Sequence, residues 1–374
     1  MMAIDNLGLY VHIPYCVRKC NYCDFCSLPN GVSNVPDEYV SALCTEIISY
    51  KKEKRRCLDT VYFGGGTPSL LSVSQMQKIL GCIRETFDIS SLAEITFEAN
   101  PGTLSEDKAH GFKALGFNRV SLGLQSIHEN EMKKLGRIHN FEEFLSAFNL
   151  LRMAGFDNIN VDLMYGIPYQ TKESFESTVR TVVAMSPEHI SSYGLILEEG
   201  TPLFLQKDTL QFPTQDDECD MYDLCREILG QSGYEHYEIS NYAKSGKRSR
   251  HNMLYWNLAE YIGVGAAAHS YLDGHRYYNT DRVSEYIKSM LDGDFSREDC
   301  MVDLPFEYVM LKLRLSDGFL LSEYEDLFGK SFLSGREEIV DRLCKEGLLE
   351  IENGALRLTE RGFYLSNSIL VEFL

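Results

Sequence analysis

Four cysteines, Cys16, Cys20, Cys23 and Cys26, crowd into one stretch that reads Leu-Tyr-Val-His-Ile-Pro-Tyr-Cys-Val-Arg-Lys-Cys-Asn-Tyr-Cys-Asp-Phe-Cys-Ser over 9–27. An apolar, β-branched run over 9–13 leads into it, and Pro14 stops that strand. Thiols this close cannot pair as disulfides without strain, so the stretch points to a metal. Cys16, Cys20 and Cys23 form C-x3-C-x2-C, with an aromatic just before the third. Zinc sites favour C-x2-4-C pairs completed by a second, distant pair. No such pair follows, since Cys219 and Cys225 lie six apart on an expected helix. A compact thiolate group suits an iron–sulfur cluster. Three ligands on four irons leave one iron open for a substrate or cofactor. A closed zinc site, or a cluster that takes Cys26 as a fourth ligand, is the alternative.

With 374 residues the chain has room for one large domain and a small one. The net charge of −19 opposes a nucleic-acid partner, which wants a basic face, and weakly opposes an anionic membrane surface. Eleven cysteines is an odd number, no basic or apolar leader precedes them, and no apolar run is long enough to span a bilayer. A reducing cytoplasm is the expected location. Cys44, Cys57, Cys82, Cys219, Cys225, Cys300 and Cys344 are scattered, and each is expected to be a small buried hydrophobe.

Strand and helix patterns alternate from residue 7 to about 197. Strands are expected at 7–13, 58–63, 93–98, 117–124, 156–163 and 189–196. Helices are expected at 36–51, 72–86, 105–115, 128–136 with 141–154, and 171–185. Repeated βα units imply a parallel sheet with right-handed crossovers. Six strands without a reversal of order fit an open, partial (β/α)6, TIM-like barrel; a doubly wound sheet competes. The segment 198–280 looks less regular, with a helix near 216–232, a strand near 234–239 and a long loop-rich stretch. A helix near 281–291 follows. Helices at 305–314, 322–328 and 334–346 then lead to a hairpin turned by Asn353-Gly354, which looks like a small α+β, winged-helix-like domain. The expected division is 1–198, 199–298 and 299–374.

Working residues in (β/α) barrels sit at the C-terminal ends of strands. The second strand ends in Phe63-Gly64-Gly65-Gly66-Thr67-Pro68, where bare N–H groups can meet a carboxylate. A plain tight turn is the bland alternative. Glu98, Gln125 and Asp162 belong to the third, fourth and fifth strands, and Arg137 follows a helix. A charge inside an apolar strand is costly unless paired. Glu98, Asp162 and Arg137 are therefore either a structural ion-pair set or a group converging on a zwitterionic, hydroxyl-bearing ligand. His251-Asn-Met-Leu-Tyr-Trp256 holds the single tryptophan. A histidine beside aromatic rings on a polar loop can ligate heme iron, although most histidines are neither ligands nor catalytic.

The cysteine spacing resembles the radical S-adenosylmethionine (radical SAM) signature. The string LYVHIPYCVRKCNYCDF is similar to oxygen-independent coproporphyrinogen III oxidases and their heme-chaperone branch, HemW. The likeness runs over most of the chain. It implies a [4Fe–4S] cluster on Cys16, Cys20 and Cys23, and S-adenosylmethionine bound by Tyr10, Gly65, Gly66, Thr67, Glu98, Gln125, Arg137 and Asp162. Reduction of the cluster would cleave the sulfonium to a deoxyadenosyl radical. Family oxidases hold a second S-adenosylmethionine, near whose contacts Tyr22, Ile196 and His269 fall. HNxxYW is similar to the chaperone branch's own motif, which ties His251 to heme.

Two departures favour the chaperone branch. The oxidases read C-x-C where Cys23 and Cys26 have two residues between them, which makes Cys26 a spectator, and the oxidases carry a longer segment ahead of Tyr10. The leading expectation is thus a carrier that binds heme and delivers it to a hemoprotein. The main alternative is decarboxylation of coproporphyrinogen III propionates, and a DNA-binding regulator is the weakest of the three. Expected partners are heme, a hemoprotein acceptor, an electron donor, membrane respiratory enzymes met peripherally, and a second copy of the chain, with no nucleic acid.

Overall fold

The computed structural model describes residues 7–29 and 34–373. Six parallel strands carry the sheet in sequence order: β1 (Leu7–Ile13), β2 (Cys57–Gly65), β3 (Asp88–Ala99), β4 (Arg119–Gln125), β5 (Ile159–Tyr165) and β6 (His189–Gly194). Helices α1 (Asp37–Ser49), α2 (Val73–Thr86), α3 (Glu106–Leu115), α4 (Glu129–Lys134), α5 (Phe141–Met153) and α6 (Lys172–Ala184) fill the crossovers. Strand order without a reversal is the partial-barrel arrangement, and the doubly wound alternative falls away.

Period-two alternation sorts the side chains. On β1, Leu7, Leu9, Val11 and Ile13 have no exposure and pack in the main core with Leu43 and Ile47 of α1. Burying each such side chain contributes about 1.5–3 kcal/mol. The other face is polar on every strand. Parallel register sets Tyr10 beside Tyr62, Thr60 beside Glu94, Glu98 beside Ser121, Ser121 beside Asn160, and Asp162 beside Ser191. One face builds the hydrophobic shell, and the opposite face lines the lumen with groups that can bind.

The segment after β6 is more regular than its sequence suggests. Helix α7 (Gln215–Gln231) leads to β7 (Glu235–Glu238) and β8 (Asn241–Ala243), and β8 pairs antiparallel with β6. Helix α8 (Arg250–Trp256) replaces the expected polar loop: Ser249 caps it by accepting from the Asn252 amide at 3.4 Å. Next comes β9 (Tyr261–Val264), which runs parallel to β1 on the side away from β2. Then β10 (His269–Leu272), β11 (His275–Tyr278) and β12 (Glu298–Cys300) extend that edge, with α9 (Val283–Leu291) packed on α1. The sheet order is β12-β11-β10-β9-β1-β2-β3-β4-β5-β6-β8-β7.

The small domain has α10 (Leu304–Lys312), β13 (Phe319–Leu320), α11 (Leu321–Phe328), α12 (Glu337–Lys345) and the hairpin β14 (Leu349–Glu352) and β15 (Ala355–Leu358). Asn353 and Gly354 both take positive φ, as a two-residue hairpin turn requires. This domain has its own core around Tyr308, Phe319, Tyr324 and Phe332. No helix among the described residues is long and apolar enough to cross a membrane. Of the scattered cysteines only Cys44 and Cys225 are buried; Cys57, Cys219 and Cys300 are exposed, because they lie on a strand end and on outward faces.

Candidate cofactor site

The cysteine loop is tied down at both ends. Leu28 N–H donates to the Pro14 carbonyl at 2.7 Å, and Tyr15–Cys16 pair with Leu28–Pro29. Asn21 N–H donates to the Leu135 carbonyl at 2.9 Å, and Leu203 N–H to the Asn21 carbonyl at 2.8 Å. Cys16, Cys20 and Cys23 line a cavity of about 520 Å³ at the C-terminal end of the barrel strands. Cys26 is absent from that lining; its thiol donates to the Asp281 carbonyl at 3.3 Å.

Donors stand over two of the three thiols. The Thr67 hydroxyl lies 3.4 Å from Cys16 Sγ, and Arg137 Nη1 lies 3.4 Å from Cys20 Sγ. Arg137 Nη2 also donates to Asn100 Oδ1 at 2.6 Å, and Asn100 Nδ2 donates to Thr67 Oγ1 at 2.9 Å. One chain of hydrogen bonds therefore links the ends of the second and third strands and the turn after α4 to the cysteine loop. Burial pushes the Cys16 and Cys23 thiols up, and at Cys16 the Thr67 hydroxyl pulls back. Any metal held here would have to overcome that penalty by deprotonating them.

The glycine loop is shaped by close approach. Gly66 N–H donates to the Ile13 carbonyl at 2.8 Å, and a Cβ at Gly66 would sit 2.7 Å from the Tyr15 carbonyl oxygen. Gly65 has φ +107° and donates to Glu98 Oε2 at 3.2 Å. Tyr62 donates its hydroxyl to Glu98 Oε1 at 2.9 Å. Burial raises the Glu98 carboxyl to about 7, against the pull of Tyr62. Asp162 accepts from Asn160 at 2.7 Å and from Ser121 at 3.0 Å; burial raises it, and these donors restrain the rise.

Glu98, Gln125, Arg137 and Asp162 all line the cavity, along with Gly65, Gly66, Thr67 and Tyr22. Gln125 ends β4 with φ +69°, an unusual backbone state for a side chain of its size. Gln125 Oε1 and Arg137 Nε are buried without a partner. Arg119 Nε, also on the lining, is unpartnered too. Each such atom costs about 1–3 kcal/mol unless a ligand meets it, so the cavity wall holds both acceptors and donors in reserve. Ile196 also lines the cavity and His269 does not.

Tyr10 and His251 are absent from the lining. They pack together beneath it, with ring centroids 6.4 Å apart. His251 is 1 % exposed. Its Nδ1 pairs with Thr60 Oγ1 at 2.7 Å and its Nε2 with the Tyr255 hydroxyl at 2.8 Å.

Sequence reasoning passed over three residues. Arg119 also lines the cavity, 2 % exposed: burial works against its cation, and Glu94, Tyr62 and Asp162 outweigh that. Its signal was the one that exposed Glu98, a charge within an apolar strand. Asn100 and Asn160 carry no charge and gave no such signal.

The matches to known proteins follow this geometry. Residues 10–182 match the Radical SAM superfamily and residues 302–365 the HemN C-terminal domain. The chain is 36 % identical over 370 residues to the heme chaperone HemW of Lactococcus lactis, spanning 98 % of this chain and 96 % of that one. It is 35 % identical to the Bacillus subtilis heme chaperone HemW over 98 % of each chain, and 34 % identical to the Escherichia coli heme chaperone HemW over the whole of both. Its structure resembles Escherichia coli coproporphyrinogen III oxidase HemN with a TM-score of 0.86 at 23 % identity, over 99 % of this chain and 90 % of that one.

Proposed function

Because this chain belongs to the HemW family within the radical SAM superfamily, we propose that it is a heme chaperone that binds heme and passes it to hemoproteins. The observation that carries this reading is the cavity. Its floor is polar and partly unpartnered, and its rim exposes Phe25 (64 %), Tyr193 (40 %) and Ile196 (68 %). A flat apolar macrocycle suits that rim and a zwitterion suits that floor.

Cys16, Cys20 and Cys23 would hold a [4Fe–4S] cluster. Gly65, Gly66, Thr67, Glu98, Gln125, Arg137 and Asp162 would hold S-adenosylmethionine, with Tyr22 at the side and Tyr10 behind. When bound and reduced, the cluster supplies an electron for cleaving the sulfonium. The chain's own residues orient and shield: Arg137 and Thr67 donate toward thiol sulfur, Tyr62 and Gly65 aim the Glu98 carboxyl, and the walls exclude water. For His251 to take heme iron, its Nε2 must first give up the Tyr255 hydroxyl. An electron donor, a peripheral meeting with membrane respiratory enzymes and a second copy of the chain belong to the same reading.

Oxidation of coproporphyrinogen III is the second reading. It has a likeness of fold behind it, whereas the relatives matched along their whole length are heme chaperones. Anoxic protein with reconstituted cluster should bind heme stoichiometrically in an absorbance titration and release it to an apo-hemoprotein. Turnover of coproporphyrinogen III with S-adenosylmethionine and a reductant, without heme transfer, would reject the carrier reading.

A further inference from the structure

We infer that His251 is a positioning residue for the S-adenosylmethionine end of the cavity, acting through Tyr62 on Glu98 and Gly65. This rests on the S-adenosylmethionine part of the reading above and is independent of heme. Helix α8 is anchored to the barrel from outside the cavity: the Glu94 carboxylate on β3 accepts the Arg250 and His251 amides at 3.2 and 3.1 Å. The His251 ring is then fixed on both nitrogens, by Thr60 of β2 and by Tyr255 one turn along its own helix.

Its face lies on the Tyr62 ring, with centroids 5.0 Å apart and an interplanar angle of 21°. Tyr62 has no freedom left on that side. Its hydroxyl is aimed at Glu98 Oε1, while Glu98 Oε2 receives the Gly65 amide. The path from histidine to ligand pocket is thus one stacked pair and two hydrogen bonds. A Cβ on Gly8 would meet Leu254, Thr60 and the His251 ring at 2.7, 3.1 and 3.3 Å, so α8 also presses against the backbone of β1. Burial and the Arg119 cation hold the imidazole down to about 3, which keeps the ring neutral and its two hydrogen bonds fixed at physiological pH.

The experiment is a double-mutant cycle on S-adenosylmethionine affinity, with anoxic, cluster-loaded full-length protein and equilibrium dialysis. His251→Ala should weaken binding about tenfold, the lower end of what losing a partner behind a binding group costs. Tyr62→Phe should weaken it similarly, and the double variant should be no weaker than the worse single. Iron and sulfide content should stay at the wild-type level throughout. Should His251→Ala fail to fold, Tyr255→Phe takes its place in the cycle with a smaller expected loss. An unchanged affinity in the histidine variant, or fold-changes that simply multiply in the double variant, overturns the positioning role alone. Failure of the unaltered protein to bind S-adenosylmethionine overturns the underlying reading, and the inference with it.

Discussion

Glu46 and Glu98 are carboxyls placed inside the same fold, yet their surroundings differ in kind. Glu46 on α1 has no exposure and receives four donors: the Gly265 amide at 2.8 Å, Tyr286 at 2.7 Å, Asn279 at 2.8 Å and Arg297 at 3.3 Å. Nothing remains on it for a ligand. Its work is to lock the glycine-rich turn after β9 onto α1 and α9. Glu98 has two donors and an open face on the cavity, among neighbours with atoms in reserve. A saturated buried acid is a strut. An unsaturated one beside orphaned donors and acceptors has room for a ligand.

Loss of a cluster ligand should have the largest effect. Cys16→Ala is expected to strip iron, sulfide and the brown colour entirely; full retention of iron and sulfide would remove Cys16 from the ligand set. Next in size, Glu46→Ala leaves Arg297 and several donors uncompensated and should cost about 3–5 kcal/mol in urea unfolding. Glu98→Gln, which removes a charge that burial opposes, should cost under about 1 kcal/mol while weakening S-adenosylmethionine. Equal destabilisation by the two would erase the contrast drawn here.

The pH dependence sharpens it further. Glu98 has its carboxyl raised by burial to about 7 from 4.5. Between those values the folded state holds a proton that the unfolded state has lost, so this group's contribution to stability falls as pH rises through that window. Wild type minus Glu98→Gln, taken from melting temperatures at pH 5 and pH 8 without S-adenosylmethionine, should show the variant gaining on the wild type at the higher pH. A parallel pair of profiles would contradict the assignment. An effect confined to stability belongs to a site remote from both acids. Ser72→Ala breaks the capping box with Gln75 at the start of α2 and should cost about 1 kcal/mol without changing ligand affinity.

Much of this was legible. Six βα units follow from hydrophobic alternation, and the polar residues picked out on their strands, Glu98, Gln125 and Asp162, do line one cavity with the three cysteines. Asn353-Gly354 announced its hairpin because only such pairs accept two positive φ values. What escaped depended on distant partners. Residues 261–264 are too few, with a glycine among them, to show a strand pattern, and they form one only because β1 offers a free edge. The seven residues of α8 are too short to show a period, although Ser249 was a readable cap. That His251 is saturated follows from Thr60, a residue nearly 200 positions away in the chain.

The pairing of β1 with β9 fixes an order of events during synthesis. The strand that delivers the cysteine loop has β2 on one flank and residues 261–264 on the other. Until the ribosome has released that late segment, β1 ends in an unpaired row of amides and carbonyls, open to mispairing. A fragment cut near residue 198 would keep that flaw permanently. Completion of the strand that carries the cysteine loop is thereby tied to translation of the last third of the message.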